Sequence, residues 1–284
     1  MAIDYKAEYD TRGRVKDHPE IFARWKRDAA AYREARKAQG AKLNVAYGPS
    51  PRQIYDFFPA NSRDANAPLV AFIHGGFWRA FEPESFSHVA RGLNERGIDV
   101  ALLGYDLAPQ VTLSAIIDQM RAACIALWKA YRKRITVVGN SAGGHLAACL
   151  VATDFKALDA DVPADLAHIG YAISGVFELK PLLHIPLNDT LKLDHDEAYR
   201  LSPIYWQVPT GHVLDCVVGG DESAEFLRQS KAIADAWGGR GVWTRYEKLP
   251  GANHFTALDP LDDANSPMVS RIVELAQRSA GLPL

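Results

Sequence analysis

The sequence predicts an α/β fold in which one mainly parallel sheet of eight strands carries helices on both faces. The first observation is that short apolar strand patterns alternate with amphipathic helical patterns through most of the chain. The second is that several strand patterns are apolar throughout, as strands covered on both sides by helices should be. The third is the length, because 284 residues suit one large α/β unit. We therefore predict a single domain, residues 1–284, without internal repeats.

The elements of the first half follow in order. Residues 19–39 place apolar side chains at helical spacing among Ala, Arg, Lys and Glu, and Gly40 ends this N-terminal helix. The next predicted elements are strands Leu43–Tyr47, Gln53–Phe58 and Leu69–Ile73, a helix near Ser85–Arg96, strand Asp99–Tyr105 and helix Thr112–Tyr131. The last of these is the clearest amphipathic helix, since its apolar residues recur every three or four positions.

The second half begins with a strand at Ile135–Val138 and a glycine-rich turn that leads into a helix reaching Leu150. After a strand at Ile169–Ser174, residues 175–209 show no clear period and contain four prolines. Because ordinary loops are shorter, we predict a small cap here, over the top edge of the sheet. The remaining elements are strand Val213–Val218, helix Ala224–Trp237, strand Val242–Leu249 and a final helix that Ser266 caps and Pro267 opens.

Composition excludes several classes of protein. The formal net charge of −2 is evenly spread, so we expect no nucleic-acid partner, and no apolar run is long enough for a membrane span. Cys124, Cys149 and Cys216 lie in apolar runs without a C-x-x-C pair, which argues against a disulfide framework or zinc site. We predict no metal and no cofactor, a small-molecule substrate and, since the N-terminus is polar, a cytoplasmic location. The sequence leaves open whether the chain forms a homodimer.

The turn after the fifth strand carries the strongest chemical signal. Residues 139–143 read Gly-Asn-Ser-Ala-Gly, a G-x-S-x-G pattern between a strand and a helix. This arrangement lifts a serine hydroxyl out on a sharp turn, so we predict Ser141 as a nucleophile. Side chains at Gly139 or Gly143 would collide with the neighbouring strand and helix, which explains the glycines.

A serine nucleophile needs a base and an acid that orients the base. In strand–turn–helix sites the chain order is serine, acid, histidine. His254 follows the last strand and is the predicted base. Asp221, just past the end of the seventh strand, is the predicted acid, and Glu222 is the second choice because it lies one residue farther into the loop.

Backbone amides are the predicted stabilisers of a developing oxyanion. Gly75 and Gly76 follow the third strand with unobstructed N–H groups, and Ala142 begins the helix after the nucleophile. His74 is predicted to organise this loop rather than to act as a base. His145 shares a helix face with Ser141, and either core packing or a place in the pocket fits it.

Five sequence pieces together resemble a known family. They are His74–Trp78 (HGGFW), Gly139–Leu146 (GNSAGGHL), Ser174–Leu182 (SGVFELKPL), Gly220–Phe226 (GDESAEF) and Asn253–Phe255 (NHF), with a further likeness from Glu8 to Arg33. In this order, over nearly the whole chain, they resemble the bacterial kynurenine formamidase (arylformamidase) branch of the α/β-hydrolases, near the hormone-sensitive-lipase-like esterases. One departure is Asn140 before the serine, where much of the family is expected to carry His.

The resemblance implies an α/β-hydrolase fold and a metal-free serine hydrolase that converts N-formyl-kynurenine to kynurenine and formate. Phe77, Trp78 and Phe177 are then the candidates for contact with an aromatic leaving group, and Asn140 for contact with substrate beside the nucleophile. A carboxylesterase or amidase for other small acyl compounds is the alternative within the class. A non-catalytic binding protein with the same fold is the alternative outside it.

Overall fold

One eight-stranded sheet organises the protein, whose computed structural model describes residues 3–281. The strands are β1 (Lys42–Ala46), β2 (Ile54–Phe58), β3 (Leu69–Ile73), β4 (Asp99–Leu103), β5 (Ile135–Asn140), β6 (Ile169–Ile173), β7 (Val213–Gly219) and β8 (Trp243–Leu249). They lie in the order β1-β2-β4-β3-β5-β6-β7-β8. Only β2 runs antiparallel to its neighbours β1 and β4, and the rest of the sheet is parallel. The predicted fold class is confirmed.

The helices are α1 (Tyr5–Glu8), α2 (Thr11–Arg14), α3 (His18–Lys37), α4 (Arg91–Glu95), α5 (Leu113–Tyr131), α6 (Ala142–Val151), α7 (Asn188–Leu191), α8 (His195–Arg200), α9 (Ala224–Gly238) and α10 (Pro267–Ser279). Shorter 3₁₀ segments cover Pro83–Ala90, Lys180–His184, Pro203–Tyr205 and Thr256–Asp262. Ser266 caps α10 through the amide of Val269, as predicted, and Thr112 caps α5 through the amide of Ala115. The helix predicted near residues 85–96 is a 3₁₀ segment followed by the short α4.

The two faces of the sheet bury two separate apolar clusters. Along β3, Leu69, Ala71 and Ile73 enter one cluster, while Val70 and Phe72 enter the other. Because successive strand residues point to opposite faces, this alternation means that both sides of β3 are covered. Side chains of α5, α6 and α9 complete the first cluster, and those of α3, α4 and α10 complete the second.

The strand order places a crevice at the end of β3 and β5. The chain moves outward from β3 to β4 and then crosses to the other side of β3 to form β5. In open α/β sheets, ligands bind beyond the carboxyl ends of the strands at such a switch in strand order. Gly75 and Ser141 follow β3 and β5, so they meet at this point.

The N-terminal segment folds back onto α9. Tyr9 donates from its hydroxyl to Oε1 of Glu225 at 2.9 Å and accepts from Nε2 of Gln229 at 2.9 Å. Oε2 of Glu8 accepts the backbone amide of Glu225 at 2.8 Å. These bonds fix α1 and α2 beside the start of α9, a placement that the sequence analysis did not predict.

Across residues 3–281, none of the helices combines the length and apolar character needed to cross a membrane. Residues 1–2 and 282–284 of the predicted 1–284 domain lie outside the described range.

Candidate active site

Ser141 stands on a strained turn between β5 and α6. Its φ of 55° and ψ of −116° lie where a residue with a side chain is rarely found. A Cβ on Gly139 would lie 2.0 Å from the carbonyl oxygen of Gly143, and one on Gly143 would lie 1.9 Å from that of Ile73. The predicted collisions with helix and strand are confirmed, and the two glycines allow the turn that exposes the hydroxyl.

His254 contacts Ser141 directly. The hydroxyl of Ser141 lies 3.0 Å from Nε2 of His254 and can donate to it. The loop that carries the imidazole is fixed by reciprocal bonds: Oδ1 of Asn253 accepts the amides of Phe255 and Thr256, and Oγ1 of Thr256 accepts the amide of Asn253. Such side-chain bonds to nearby amides give a loop one preferred shape, and here they aim the imidazole at the serine.

The acid beside His254 is Glu222, so the prediction of Asp221 is wrong. Oε2 of Glu222 accepts from Nδ1–H of His254 at 2.5 Å, while Asp221 is exposed. The cause is a turn in which the amide of Glu222 donates to the carbonyl of Gly219, leaving Asp221 at the tip and returning residue 222 to the strand end. The longer side chain of Glu222 then spans the gap to the imidazole.

Glu222 is held in place through its other oxygen. Oε1 accepts the amide of Gly219 at 2.7 Å and the hydroxyl of Ser174, which stands directly after β6. The carboxylate therefore makes three hydrogen bonds on a side chain that is 1 % exposed. Three donors around a buried acceptor hold it in one orientation, toward His254. Ser174 begins one of the five sequence pieces that carry the family resemblance, but no signal in the sequence identified it as a partner of the acid.

Gly75 and Gly76 lie beside the nucleophile, as predicted. A Cβ on Gly75 would lie 3.0 Å from both the Cβ of Ser141 and the carbonyl oxygen of Asn140. Gly76 has a φ of 105°, a conformation that favours glycine, and its amide and that of Gly75 donate to no backbone carbonyl within residues 3–281. Ala142 follows Ser141 as the first residue of α6, where helix amides have no partner inside the helix. Their role as oxyanion donors stays a prediction.

Two buried histidines support this region without reaching the serine. Nδ1 of His74 donates to the carbonyl of Gly75 at 2.8 Å, and its ring stacks 4.4 Å from that of Tyr105. His145 bonds through Nε2 to the carbonyl of Leu201 at 2.8 Å. Burial lowers the pKa of each histidine to about 4, so both are neutral at pH 7. His74 organises its loop as predicted, and His145 belongs to the packed core.

A cavity of about 440 Å³ opens onto Ser141 and His254. Seven aromatic residues contribute to its wall: Tyr9, Phe22, Trp25, Phe77, Phe81, Phe86 and Phe255. Asn140 also lines it. Two predicted substrate contacts are wrong, because Trp78 and Phe177 are fully buried and do not line the cavity.

The backbone explains the difference between Phe77 and Trp78. Both have positive φ, 50° and 55°, and the tight loop turns Phe77 toward the cavity while Trp78 packs edge-on against His145 at 5.1 Å. The ring of Phe177 lies against the backbone of Gly175, where a Cβ would come within 2.3 Å of it.

Part of the cavity wall comes from a segment that the sequence analysis did not assign to the site. Residues 9–12 line it, together with Phe22 and Trp25 of α3. The predicted cap, residues 175–209, contributes no side chain to this wall, and its buried leucines belong to the apolar cluster under α5, α6 and α9. The sequence contained one signal for helices in the N-terminal segment. Asp4 and Asp10 are residues that favour helix N-caps, and each accepts the backbone amide three residues later.

No group of three or more His, Cys, Asp or Glu side chains within residues 3–281 is arranged to hold a metal ion. The site that the structure assembles therefore consists of a serine, a histidine, a glutamate and the backbone amides beside the serine.

The chain is similar to known proteins in both sequence and structure. A family model described as the alpha/beta hydrolase fold matches residues 70–198. Kynurenine formamidase from Danio rerio is 26 % identical over 86 % of this chain and 85 % of its own length, and that from Salmo salar is 28 % identical over 84 % and 82 %. A crystal structure of a candidate thioesterase from Silicibacter sp. TM1040 superimposes with a TM-score of 0.80 at 30 % identity, over 95 % of this chain and 98 % of that one.

Proposed function

The chain belongs to the α/β-hydrolase family, and we propose that it is a serine hydrolase that cleaves N-formyl-kynurenine to kynurenine and formate. The observation that carries the reaction class is the continuous hydrogen-bonded chain from Ser141 through His254 to Glu222, of which Ser141 and His254 line the cavity. The formamidase relatives, which match more than four-fifths of the chain, support the choice of a formyl amide.

In the first half of the reaction, the hydroxyl oxygen of Ser141 attacks the formyl carbon and its proton passes to Nε2 of His254. Glu222 accepts Nδ1–H throughout, which keeps Nε2 free to receive that proton and stabilises the imidazolium that forms. The oxygen that becomes negative is stabilised by amides of Gly75, Gly76 and Ala142. His254 then returns the proton to the departing aryl amine, and the formyl group stays on Ser141 as an ester.

In the second half, water replaces the amine. His254 takes a proton from the water as it attacks the formyl ester, and the same amides receive the oxyanion. Collapse of this intermediate breaks the bond to Ser141, which regains its proton from His254, and formic acid leaves and releases its own proton to the solvent to become formate. Each proton taken by His254 is therefore returned, and the enzyme ends as it began.

The shape of the site supports a small acyl group and an aromatic leaving group. The space beside the nucleophile is narrow, since even a methyl group on Gly75 would crowd Asn140 and Ser141. The opposite wall is a cluster of rings in which Phe22 lies 4.9 Å from Phe255 and 5.3 Å from Phe81. Aromatic pairs prefer such edge-to-face contacts, and an aniline ring fits the same wall.

A panel of substrates tests the proposal. We expect kcat/KM for N-formyl-kynurenine to exceed that for N-acetyl-kynurenine by about 10- to 200-fold. This is the usual discrimination in kcat/KM between two substrates that differ by one methylene-sized group in a fitted pocket. The measurement is the ultraviolet absorbance of released kynurenine, run beside p-nitrophenyl acetate and butyrate. Rapid turnover of the aryl esters with no cleavage of the formamide would contradict the formamidase assignment.

That outcome would favour the second candidate function, an esterase or thioesterase for another small acyl compound. The observation behind this candidate is the structural relative described as a candidate thioesterase, which covers nearly the whole chain. Serine, histidine and carboxylate serve both reactions, so only the substrate panel separates them.

A binding protein with the same fold would need no aligned nucleophile. Here the distances from Ser141 to His254 and from His254 to Glu222 are 3.0 and 2.5 Å. Covalent labelling by a fluorophosphonate that is lost in Ser141→Ala would exclude the binding-protein alternative. We place the enzyme in the cytoplasm, in support of which Cys124, Cys149 and Cys216 are buried free thiols.

A further inference from the structure

Two arginines reach the cavity above Ser141 from opposite segments. Arg12 belongs to α2, and Arg79 to the loop after Gly75 and Gly76. Neither forms an ion pair with any carboxylate of residues 3–281, and the one side-chain bond of Arg79 is a long contact of 3.4 Å with Thr190. The cavity wall thus carries, beside its rings, two arginines without an ion-pair partner among residues 3–281 and one carboxylate, that of Asp10.

The structure holds Arg12 in this position. Its guanidinium lies 5.6 Å from the ring centroid of Phe22, within the range of a cation–π contact. The segment that carries it is fixed by the buried bonds of Tyr9 with Glu225 and Gln229. The nearest acid in sequence, Asp10, is engaged as the cap of α2, where its Oδ1 accepts the amide of Gly13 at 2.8 Å.

We propose that Arg12 and Arg79 form an anion subsite that binds a carboxylate on the leaving group of the substrate. Guanidinium groups present planar pairs of donors that match a carboxylate, and a cavity wall concentrates their field. A substrate with an aromatic amine and an anionic tail would place its ring on Phe22 and its carboxylate between the arginines. This inference rests on the proposed function and extends it, because a simple aryl ester has no group for this subsite.

The test compares substrates that differ only in charge. N-formyl-kynurenine and its α-carboxamide share ring, ketone and formyl group, so the ratio of their kcat/KM values reports recognition of the carboxylate. Hydrogen bonds to a charged group contribute about 1.5–3 kcal/mol, so we expect the ratio to be roughly 10 to 100 in the wild type. In the Arg12→Gln/Arg79→Gln double variant the ratio should fall at least tenfold, mainly through KM.

A matched control lies on the same helix. Arg14 also belongs to α2 but lines a separate cavity of about 180 Å³ behind His254 instead of the one in front of Ser141. Arg14→Gln removes the same charge and should keep the ratio within twofold. In the wild type the ratio should also decrease as sodium chloride rises from 20 to 500 mM, since salt screens exposed charges.

Failure of this inference is distinct from failure of the proposed function. The anion subsite is overturned if the wild type cleaves N-formyl-kynurenine and its α-carboxamide with similar kcat/KM values. It is also overturned if the double variant has the same ratio of these values as the wild type. In both cases the formamidase assignment stands. If the wild type cleaves p-nitrophenyl acetate but not N-formyl-kynurenine, the proposed function fails. The subsite is then judged by the same variants with 4-acetoxybenzoate against 4-acetoxybenzamide, and an unchanged ratio again overturns it.

Discussion

Replacing Glu222 by Gln removes a charge, and the structure indicates how much activity that change should remove. Oε1 of Glu222 accepts the amide of Gly219 and the hydroxyl of Ser174, and Oε2 accepts from His254. The Gly219 amide is a backbone donor that cannot reverse, so the carbonyl oxygen of a glutamine must face it. The new NH₂ group then faces Nδ1 of His254 and forces that nitrogen to accept. The histidine proton moves to Nε2, which can no longer take the proton of Ser141.

We therefore expect Glu222→Gln to lower kcat by roughly 10⁴-fold, as loss of the orienting carboxylate does in a serine protease through the same change of tautomer. Asp221→Asn, one residue away and exposed, should change kcat by less than about threefold. The assay is hydrolysis of p-nitrophenyl acetate and N-formyl-kynurenine, with circular dichroism to show that both variants fold. The opposite ranking of the two variants would refute the assignment of the acid.

Further predictions concern the nucleophile, the turn and the buried histidines. Ser141→Ala should lose on the order of 10⁶ in kcat while folding normally, and a folded variant with a tenth of the wild-type rate would exclude Ser141 as the nucleophile. Gly143→Ala should lower the free energy of unfolding, measured in urea melts, by at least about 3 kcal/mol, because its Cβ would lie 1.9 Å from a carbonyl oxygen of β3. Gly239→Ala is the control and should be tolerated, because a Cβ there would come no closer than 3.4 Å to its nearest neighbour. Burial lowers the pKa values of His74 and His145 to about 4. Their contribution to the free energy of unfolding is therefore complete above about pH 6.5, the pKa of histidine in the unfolded chain, and is lost as the pH falls toward 4. In an NMR pH titration, imidazole carbon–proton signals of His74 and His145 with midpoints near pH 6.5 would contradict this expectation.

The local order of the chain was enough to predict the sheet and the nucleophile. Each of the eight strands lies within two residues at either end of the segment predicted for it, because apolar runs bounded by glycine and proline are strong local signals. Ser141 and His254 could be identified for a similar reason. Strand, sharp turn and helix occur within sixteen consecutive residues, and the order of serine, acid and histidine leaves one histidine after the last strand.

The choice between Asp221 and Glu222 depends on contacts that are distant in sequence. A Cβ on Gly219 would lie 2.4 Å from the carbonyl oxygen of Ala252, so the acid's loop and the histidine's loop are in tight contact there. That contact, with the turn closed by the amide of Glu222, decides which carboxylate faces the imidazole. Sequence proximity to the strand end favoured the wrong neighbour, because it contains no information about the opposing loop.

The walls of the site were likewise decided by tertiary structure. Phe77 and Trp78 are adjacent aromatic residues with similar φ, yet one lines the cavity and the other is buried against His145. The N-terminal residues 9–12 reach the cavity only because Tyr9 finds partners 216 and 220 residues later in the chain. By itself, then, the sequence determined the sheet, the serine and the histidine, whose signals are local. The acid, the cavity wall and the two arginines depend on which distant segments pack together, and only the folded chain brings those segments into contact.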